Sequence, residues 1–225
     1  MDKIGVNRER LLSEINRIHK SSFYKSREIP KMIAVSKQQE NEKVLEALKN
    51  GQKIFGENRV QEAEKKWTYH LNIKKDIELH LIGALQSNKV KKALNIFDVI
   101  HTLDRESLAF EINKNLEKSI RTRSFFIQVN TGEETQKSGV LPSELEEFFD
   151  LCTKKLKIPV IGLMCIPPLN EPSSIHFCYL NKLSQKFKLN HLSMGMSSDY
   201  DEAIKFGATY VRIGSEFFGK RKNQI

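Results

Sequence analysis

The sequence has no apolar run that approaches the roughly 20 residues a helix needs to cross a bilayer. Its first 20 residues read as a polar helix rather than as a charged leader followed by an apolar core, so no secretory signal is expected. With 39% hydrophobic and 29% charged residues, the composition is that of an ordinary globular protein. We therefore expect a soluble, cytoplasmic protein.

Cysteines are few and metal-binding patterns are lacking. Cys152, Cys165 and Cys178 are odd in number and form no CxxC pair, which is typical of a reducing compartment and argues against structural zinc. The six histidines form no HxH or HExxH pattern. We expect free thiols and no metal site.

The charge balance is uneven, with a formal net charge of +9 over 225 residues. A basic domain can bind nucleic acid by neutralising phosphates, so a nucleic-acid-binding module is one alternative. However, the sequence has no zinc-finger spacing or aromatic RNA-binding strand, and its basic residues are scattered over predicted helix surfaces and ends. The clusters are Lys65–Lys66, Lys74–Lys75, Lys89 with Lys91–Lys92, Lys154–Lys155 and Lys220–Lys222. This distribution favours solvated helix faces and no specific nucleic-acid partner.

Short β-branched apolar runs recur roughly every 20 to 30 residues and alternate with segments of 3.6-residue apolar periodicity. This rhythm predicts eight strand–helix units, which favour an α/β fold of the closed (β/α)8 TIM-barrel type over an open sheet. We expect a single domain over residues 1–225, with an extra N-terminal helix near residues 7–20. The predicted strands are 32–36, 53–57, 78–83, 97–103, 124–130, 159–166, 191–195 and 209–214.

Several residues mark the predicted helix ends. Gly51 and Gly207 follow apolar helical faces and are expected to end them. Asp104 is the predicted N-cap of the helix that contains residues 108–116. Pro142 and Pro172 suit first-turn positions of two later helices.

Lys37 directly follows the first predicted strand, MIAVS. In (β/α)8 barrels the active face is built where strands end and the following loops begin, so this amine is expected at the barrel mouth. An arbitrary lysine is usually solvated or caps a helix. The residues predicted to surround Lys37 give it a more specific role.

Two turns that contain serine and glycine follow the seventh and eighth predicted strands. Barrels frequently build a phosphate site from these two loops, because backbone N–H groups there favour an anion. Ser198 with Asp201 fits a capping box, which places Ser197 beside the start of a helix. Gly214 allows the backbone to approach a ligand closely, and Ser215 adds a hydroxyl and an N–H group.

Arg212 stands between Val211 and Ile213 in the eighth predicted strand, so strand alternation sends it to the opposite face. If the apolar neighbours face the helices, Arg212 points into the barrel, where an unpaired guanidinium is costly. Two kinds of partner fit this position. One is a structural salt bridge, and the other is the ring nitrogen of a bound aromatic cofactor.

Six motifs together resemble the pyridoxal 5'-phosphate (PLP) homeostasis proteins, the YggS/PROSC family, which are similar to the N-terminal barrel of alanine racemase without its second domain. The motifs occur in family order and extend over almost the whole chain. They are AVSK at 34–37, FGENRVQEA at 55–63, HLIGALQSNK at 80–89, VNTGEETQKSGV at 129–140, GLMCIPP at 162–168 and SMGMSSDYDEAIKFGATYVRIGSEFFG at 193–219.

The resemblance implies that the cofactor is PLP. It implies that Lys37 holds PLP as an internal aldimine, that Arg212 faces the pyridine nitrogen and that Asn58 lies beside the ring near its phenolic oxygen. The phosphate would be held by three residues of the two late turns, Ser197, Gly214 and Ser215.

Arg212 also limits the chemistry that we expect. PLP is a strong electron sink when its ring nitrogen is protonated, and an arginine does not readily supply that proton. Racemases need a second acid/base group, which in alanine racemase is a tyrosine of the second domain. No tyrosine of this sequence sits at an obvious strand end facing Lys37. We expect a monomeric PLP carrier with little or no turnover, and apo PLP-dependent enzymes as its partners.

Two enzymatic alternatives stay open. A PLP-dependent amino-acid racemase or lyase would use the same lysine and cofactor. A class I aldolase-like barrel would instead use Lys37 to attack the carbonyl of a sugar phosphate, with the late turns holding the substrate phosphate.

Overall fold

The computed structural model describes residues 2–25, 27–73 and 76–219. Two of the basic clusters, at 74–75 and 220–222, lie outside the described residues. Eight strands form a closed barrel in the order β1 to β8, and every neighbouring pair is parallel. The predicted (β/α)8 fold is confirmed.

The eight strands coincide with the eight predicted apolar runs, with ends that differ by at most two residues. Their bounds are β1 Lys31–Val35, β2 Ile54–Glu57, β3 Glu78–Leu81, β4 Val99–Leu103, β5 Ser124–Gln128, β6 Val160–Met164, β7 His191–Met196 and β8 Tyr210–Ile213.

Helices connect successive strands and surround the barrel. They are α1 Lys3–Ser21, α2 Asn41–Lys49, α3 Val60–Ile73, α4 Val90–Ile96, α5 Glu106–Leu116, α6 Leu145–Asp150, α7 Ser173–Lys186, α8 Tyr200–Lys205 and α9 Ser215–Phe218. The extra N-terminal helix is confirmed as α1, which begins earlier than predicted because Asp2 Oδ1 accepts a hydrogen bond from the Gly5 N–H at 2.7 Å. None of the described helices is both long and apolar enough to span a bilayer.

Some predicted helix ends are confirmed and others are wrong. Gly51 and Gly207 follow α2 and α8 with φ of +81° and +91°, a left-handed conformation that favours glycine. Asp104 is not the N-cap of α5, because its carboxylate pairs with the guanidinium of Arg105, which occupies the N-cap position itself. Pro142 lies in the turn before α6, and Pro172 is the N-cap of α7 rather than part of its first turn.

Strand alternation separates the core into two layers. Most buried apolar residues lie between the strands and the helices. A smaller cluster of five residues fills the barrel itself, which is a packed interior rather than a pore. Its members are Ile33, Val99, Phe126, Met164 and Tyr210.

Candidate functional site

Lys37 lies two residues beyond the end of β1, at the mouth of the barrel. Ile33 belongs to the inner cluster, and Val35 lies on the same face of the strand. Continuing the alternation brings Lys37 to the barrel-facing side, where it is half-buried. The structure therefore places the predicted amine where strand ends and loops meet.

The turns after β7 and β8 meet each other beside the end of β1. The Gly214 N–H donates to Ser197 Oγ at 3.3 Å, which joins the two predicted phosphate turns directly. A Cβ atom on Gly214 would lie 3.5 Å from Val35 Cβ, next to the strand that carries Lys37. Ser215 follows as the first residue of α9. The three predicted phosphate-binding residues are thus brought together.

The predicted capping box at Ser198 is wrong by one residue. Asp199 is the N-cap of α8, which begins at Tyr200, and Ser198 is exposed in the preceding turn. Asp199 Oδ1 accepts a hydrogen bond from the Met196 N–H at 2.6 Å. This carboxylate thereby closes the turn that carries Ser197.

Arg212 points into the barrel, as strand alternation predicts, and is only 4% exposed. Its Nη1 donates to Ser193 Oγ at 2.8 Å and its Nη2 donates to the Cys165 carbonyl at 2.9 Å. Both acceptors are neutral, and no salt bridge to Arg212 occurs within the described part of the chain. Burial lowers the pKa of Arg212, and the nearby Cys165 and Asp199 oppose that effect.

Asn58 follows β2 at the same end of the barrel and is half-buried. A Cβ on Gly83 would lie 2.4 Å from the Asn58 carbonyl oxygen, so glycine is required for the loop after β3 to approach so closely. Both residues line an open cleft of about 900 Å³ beside the mouth, together with the basic residues Arg59, Lys65 and Lys89.

A buried glutamate, Glu57, holds the end of β1 that precedes Lys37. Glu57 is fully buried, and its Oε1 accepts hydrogen bonds from Ser36 Oγ at 2.8 Å and from Trp67 Nε1 and Lys66 Nζ, both at 3.0 Å. Its Oε2 has no hydrogen-bond partner among the described residues. Burial raises the pKa of Glu57, although the Lys66 cation opposes this shift.

Helix α3 also holds the residue that follows Lys37. The Gln38 N–H donates to Glu62 Oε1 at 2.5 Å, and Gln38 has a φ of +58°, which is uncommon for a residue with a side chain. Lys66 Nζ donates both to Glu62 and to the Ser36 carbonyl. Residues on both sides of Lys37 are therefore fixed by α3, which begins within the FGENRVQEA motif.

Sequence reasoning missed these supporting residues. A glutamate at the end of an apolar strand, as in KIFGE, is a signal that it needs a buried partner. Ser193 and the histidines His80 and His101 are also fully buried, and they join Arg212 through hydrogen bonds inside the barrel.

Comparison with known proteins relates this geometry to one family. The protein family described as the N-terminal domain of alanine racemase matches residues 1–222. A pyridoxal phosphate homeostasis protein of Aquifex aeolicus is 40% identical over 225 residues, which cover 95% of this chain and 98% of that protein. The chain belongs to the pyridoxal phosphate homeostasis protein family. A family member from Escherichia coli K12 is 34% identical over 199 residues, with 84% and 85% of the two chains covered. The resemblance seen in the six motifs is confirmed.

Solved structures agree with this membership of the pyridoxal phosphate homeostasis family. PipY of Synechococcus elongatus without PLP superimposes with a TM-score of 0.84 at 32% identity, covering 96% of this chain and 100% of that one. The same protein with PLP bound gives a TM-score of 0.82. Alanine racemase of Clostridium difficile shares the fold, with a TM-score of 0.68 at 12% identity, and this chain covers 58% of it.

The hydrogen bond from Trp67, the single tryptophan, to Glu57 predicts that the Trp67 fluorescence depends on pH. Because burial raises the pKa of Glu57 above its ordinary value of 4.5, the Trp67 fluorescence should change with a midpoint above that pH. Because the pKa of the Glu57 carboxyl is higher in the folded than in the unfolded protein, protonation of Glu57 favours folding. This contribution to the free energy of unfolding is complete below the unfolded-state pKa and is lost as pH rises through the folded-state pKa.

The matched variant is Glu57→Gln, in which this transition should be absent. Any transition that survives belongs to another group, such as His70, whose ring also contacts Trp67. A wild-type midpoint at or below 4.5 that disappears in Glu57→Gln would contradict the inferred direction.

The hydrogen bond from the Gln38 N–H to Glu62 predicts that the backbone beside Lys37 is locally ordered. Glu62→Ala should accelerate hydrogen exchange of the Gln38 amide by about tenfold, because a hydrogen bond to a charged acceptor is lost. Glu64→Ala is the control, since Glu64 lies on the same helix but pairs with Lys92. Equal Gln38 exchange rates in the two variants would show that Glu62 does not hold this loop.

Proposed function

We propose that this chain binds PLP and holds it as an imine on Lys37, in a cofactor homeostasis and carrier role with little or no catalytic turnover. The observation that carries the proposal is the convergence of Lys37, Arg212 and the Ser197–Gly214 pair from β1, β8 and β7 at one end of the barrel. The PLP-bound PipY structure, from a protein 32% identical to this one, supports the choice of ligand.

The phosphate end of PLP fits the joined turns. Packing against β1 does not by itself require glycine at position 214, because a Cβ there would lie at an ordinary contact distance from Val35. Glycine instead leaves space for a ligand and gives it access to the backbone. The hydroxyls and N–H groups of Ser197, Gly214 and Ser215 would hold the phosphate and direct the aldehyde toward Lys37.

The pyridine ring of PLP fits beside Arg212. When bound, PLP supplies an aldehyde that captures a neutral amine and a ring that withdraws electrons. Arg212 is buried, anchored by two hydrogen bonds and effectively always charged, so it would donate to the ring nitrogen without giving up a proton. Asn58, at the neighbouring strand end, would lie beside the ring.

The positions of all five tyrosines support low turnover. Tyr210 belongs to the inner cluster two residues before Arg212, with its ring 5.6 Å from Lys31 Nζ at the opposite end of β1 from Lys37. Tyr200 is buried against α1, where its hydroxyl interacts with Glu14. The other three, Tyr24, Tyr69 and Tyr179, lie after α1, on α3 and on α7. These positions support the proposal that no tyrosine of this chain acts as a racemase-type second acid/base on the far side of a substrate.

A carrier must also release its cofactor. Lys37 is half-buried and lies at the mouth, beside the open cleft at Asn58. Such an arrangement protects the aldehyde as an imine while leaving the amine within reach of a competing nucleophile. We propose apo PLP-dependent enzymes as the recipients.

Addition of PLP to the purified protein should produce an imine absorbance band that is lost in Lys37→Ala. The reason is that the imine requires the Lys37 amine. Lys53→Ala is the control, because Lys53 precedes β2 at the opposite end of the barrel and pairs with Asp76. An equal band in wild type and Lys37→Ala would overturn the proposal.

The absence of turnover has a separate test. Alanine or serine incubated with the PLP-loaded protein in deuterated water should show negligible exchange of the α-proton, because the Arg212 partner weakens the electron sink and the second acid/base is lacking. The measurement is deuterium incorporation followed by mass spectrometry. Sustained exchange that disappears in Lys37→Ala would instead establish the racemase or lyase alternative.

A further inference from the structure

A continuous chain of polar side chains crosses the interior of the barrel and ends at Arg212. Glu78 Oε1 lies 2.7 Å from His80 Nε2, and His80 Nδ1 lies 2.7 Å from His101 Nε2. His101 Nδ1 lies 2.9 Å from Ser193 Oγ, which accepts from Arg212 Nη1 at 2.8 Å. The chain joins β3, β4, β7 and β8 through four contacts, each within hydrogen-bond distance.

The chain is shielded from water along most of its length. His80, His101 and Ser193 are each 0% exposed, whereas the Glu78 side chain at the start of β3 is 35% exposed. The His101 ring stacks on Phe126 with centroids 4.4 Å apart, which fixes its plane. No group of three His, Cys, Asp or Glu side chains in the described ranges is placed to hold a metal ion.

With both histidines neutral, the Glu78 carboxylate determines the direction of every proton in the chain of polar side chains, because it can only accept. At the other end, Ser193 Oγ accepts from Arg212 Nη1 and directs its own proton to His101 Nδ1. His101 then carries its proton on Nε2 and donates it to His80 Nδ1. His80 donates in turn from Nε2 to the Glu78 carboxylate, which can only accept.

The opposite order is unfavourable. It would place the bare Nε2 lone pair of a neutral His80 against the Glu78 carboxylate, so two acceptors would face each other in a buried site. Burial keeps the pKa of His101 well below its usual value, and the Arg212 cation acts in the same direction, which is consistent with a neutral ring. The hydrogen bond from His80 lowers the pKa of Glu78, and the nearby Lys31 cation acts in the same direction.

We propose that His80, His101 and Ser193 are positioning residues that orient Arg212 toward the pyridine nitrogen of PLP, with Glu78 as the remote carboxylate of the chain. This inference rests on the proposed function and deepens it. Arg212 has no carboxylate hydrogen-bonded to it within the described residues. The chain of polar side chains instead connects it to a distant carboxylate, that of Glu78. The ring nitrogen therefore meets a fixed cation rather than an acid.

Ser193 is the residue through which the histidines act on Arg212. Because its proton is committed to His101, its oxygen is left to accept from Nη1. The second anchor, from Nη2 to the Cys165 carbonyl, fixes the plane of the guanidinium. An arginine has five N–H donors, so two such anchors still leave donors for a ligand.

The first measurement is the tautomer of each histidine, from ¹⁵N shifts of histidine-labelled protein with and without PLP. Both His80 and His101 should be neutral and protonated on Nε2, with a scalar coupling across the His101–His80 hydrogen bond. A cationic ring, or a proton on Nδ1 of either residue, would overturn the inferred direction. Assignment comes from His80→Gln and His101→Gln.

The second measurement tests whether the chain of polar side chains affects PLP binding. Ser193→Ala removes one oxygen at the centre of the chain, and we expect it to weaken PLP binding by about tenfold, because a charged donor loses its buried acceptor. The ¹⁵N shift of ring-labelled PLP should move as well, since Arg212 is no longer held against the nitrogen. Ser184→Ala is the matched control, because Ser184 is equally buried and hydrogen-bonded but lies on α7.

A pair of His101 variants separates hydrogen bonding from packing. His101→Gln keeps one acceptor and one donor and should retain the wild-type ring-nitrogen shift, whereas His101→Phe keeps a ring against Phe126 without either group and should match Ser193→Ala. If His101→Phe does not fold, Ser193→Ala alone decides the outcome.

The outcomes distinguish this inference from the proposed function. If wild type forms no Lys37-dependent imine band, both fail. If that band forms but Ser193→Ala and Ser184→Ala share the wild-type affinity and ring-nitrogen shift, only the positioning role fails.

Discussion

The pairing of β1 with β8 is the contact on which the site depends. Its register places Ile33 opposite Arg212 and Ala34 opposite Ile213, which brings the first and last strands of the chain side by side. Lys37 and Gly214 leave these two strands at the same end, and Ser197 joins them through its hydrogen bond to Gly214. A slip of one residue would turn Arg212 toward the helices and leave the barrel without its interior cation.

Around that contact the barrel interior combines two kinds of chemistry. An apolar and aromatic cluster includes Phe126 and Tyr210. Beside it, with His101 stacked on Phe126, the chain of polar side chains runs from Glu78 to Arg212, and Lys37 and the phosphate turns lie at the mouth. In the proposed complex, this arrangement would bring a fixed cation to the ring and a lysine to the aldehyde. It would stabilise a bound PLP without supplying the ring proton that strong carbanion chemistry requires.

Much of this arrangement could be predicted because it depends on local patterns. Strand periodicity located all eight strands, and alternation alone sent Arg212 into the barrel. The predictions that were wrong concern single turns, where competing side chains decide the outcome. Asp104 was expected to cap a helix but pairs with Arg105, and Asp199 rather than Ser198 is the N-cap of α8.

The supporting contacts could not be predicted in the same way. Glu57 meets Ser36 across 21 residues, and His101 meets Ser193 across 92 residues. Such pairs depend on barrel closure and on the rotation of each strand, and a single sequence shows neither. The histidines were visible as strand residues, but their partners were not.

The central claim is that Lys37 is the amine that holds the cofactor. Its most direct test is borohydride reduction of the PLP-loaded protein, followed by peptide mapping of the reduced pyridoxyl group. We expect the label to lie on Lys37 at up to one equivalent, and Ser197→Ala or Arg212→Met to lower the occupancy at that residue. A label spread over surface lysines, or concentrated at another residue, would contradict it.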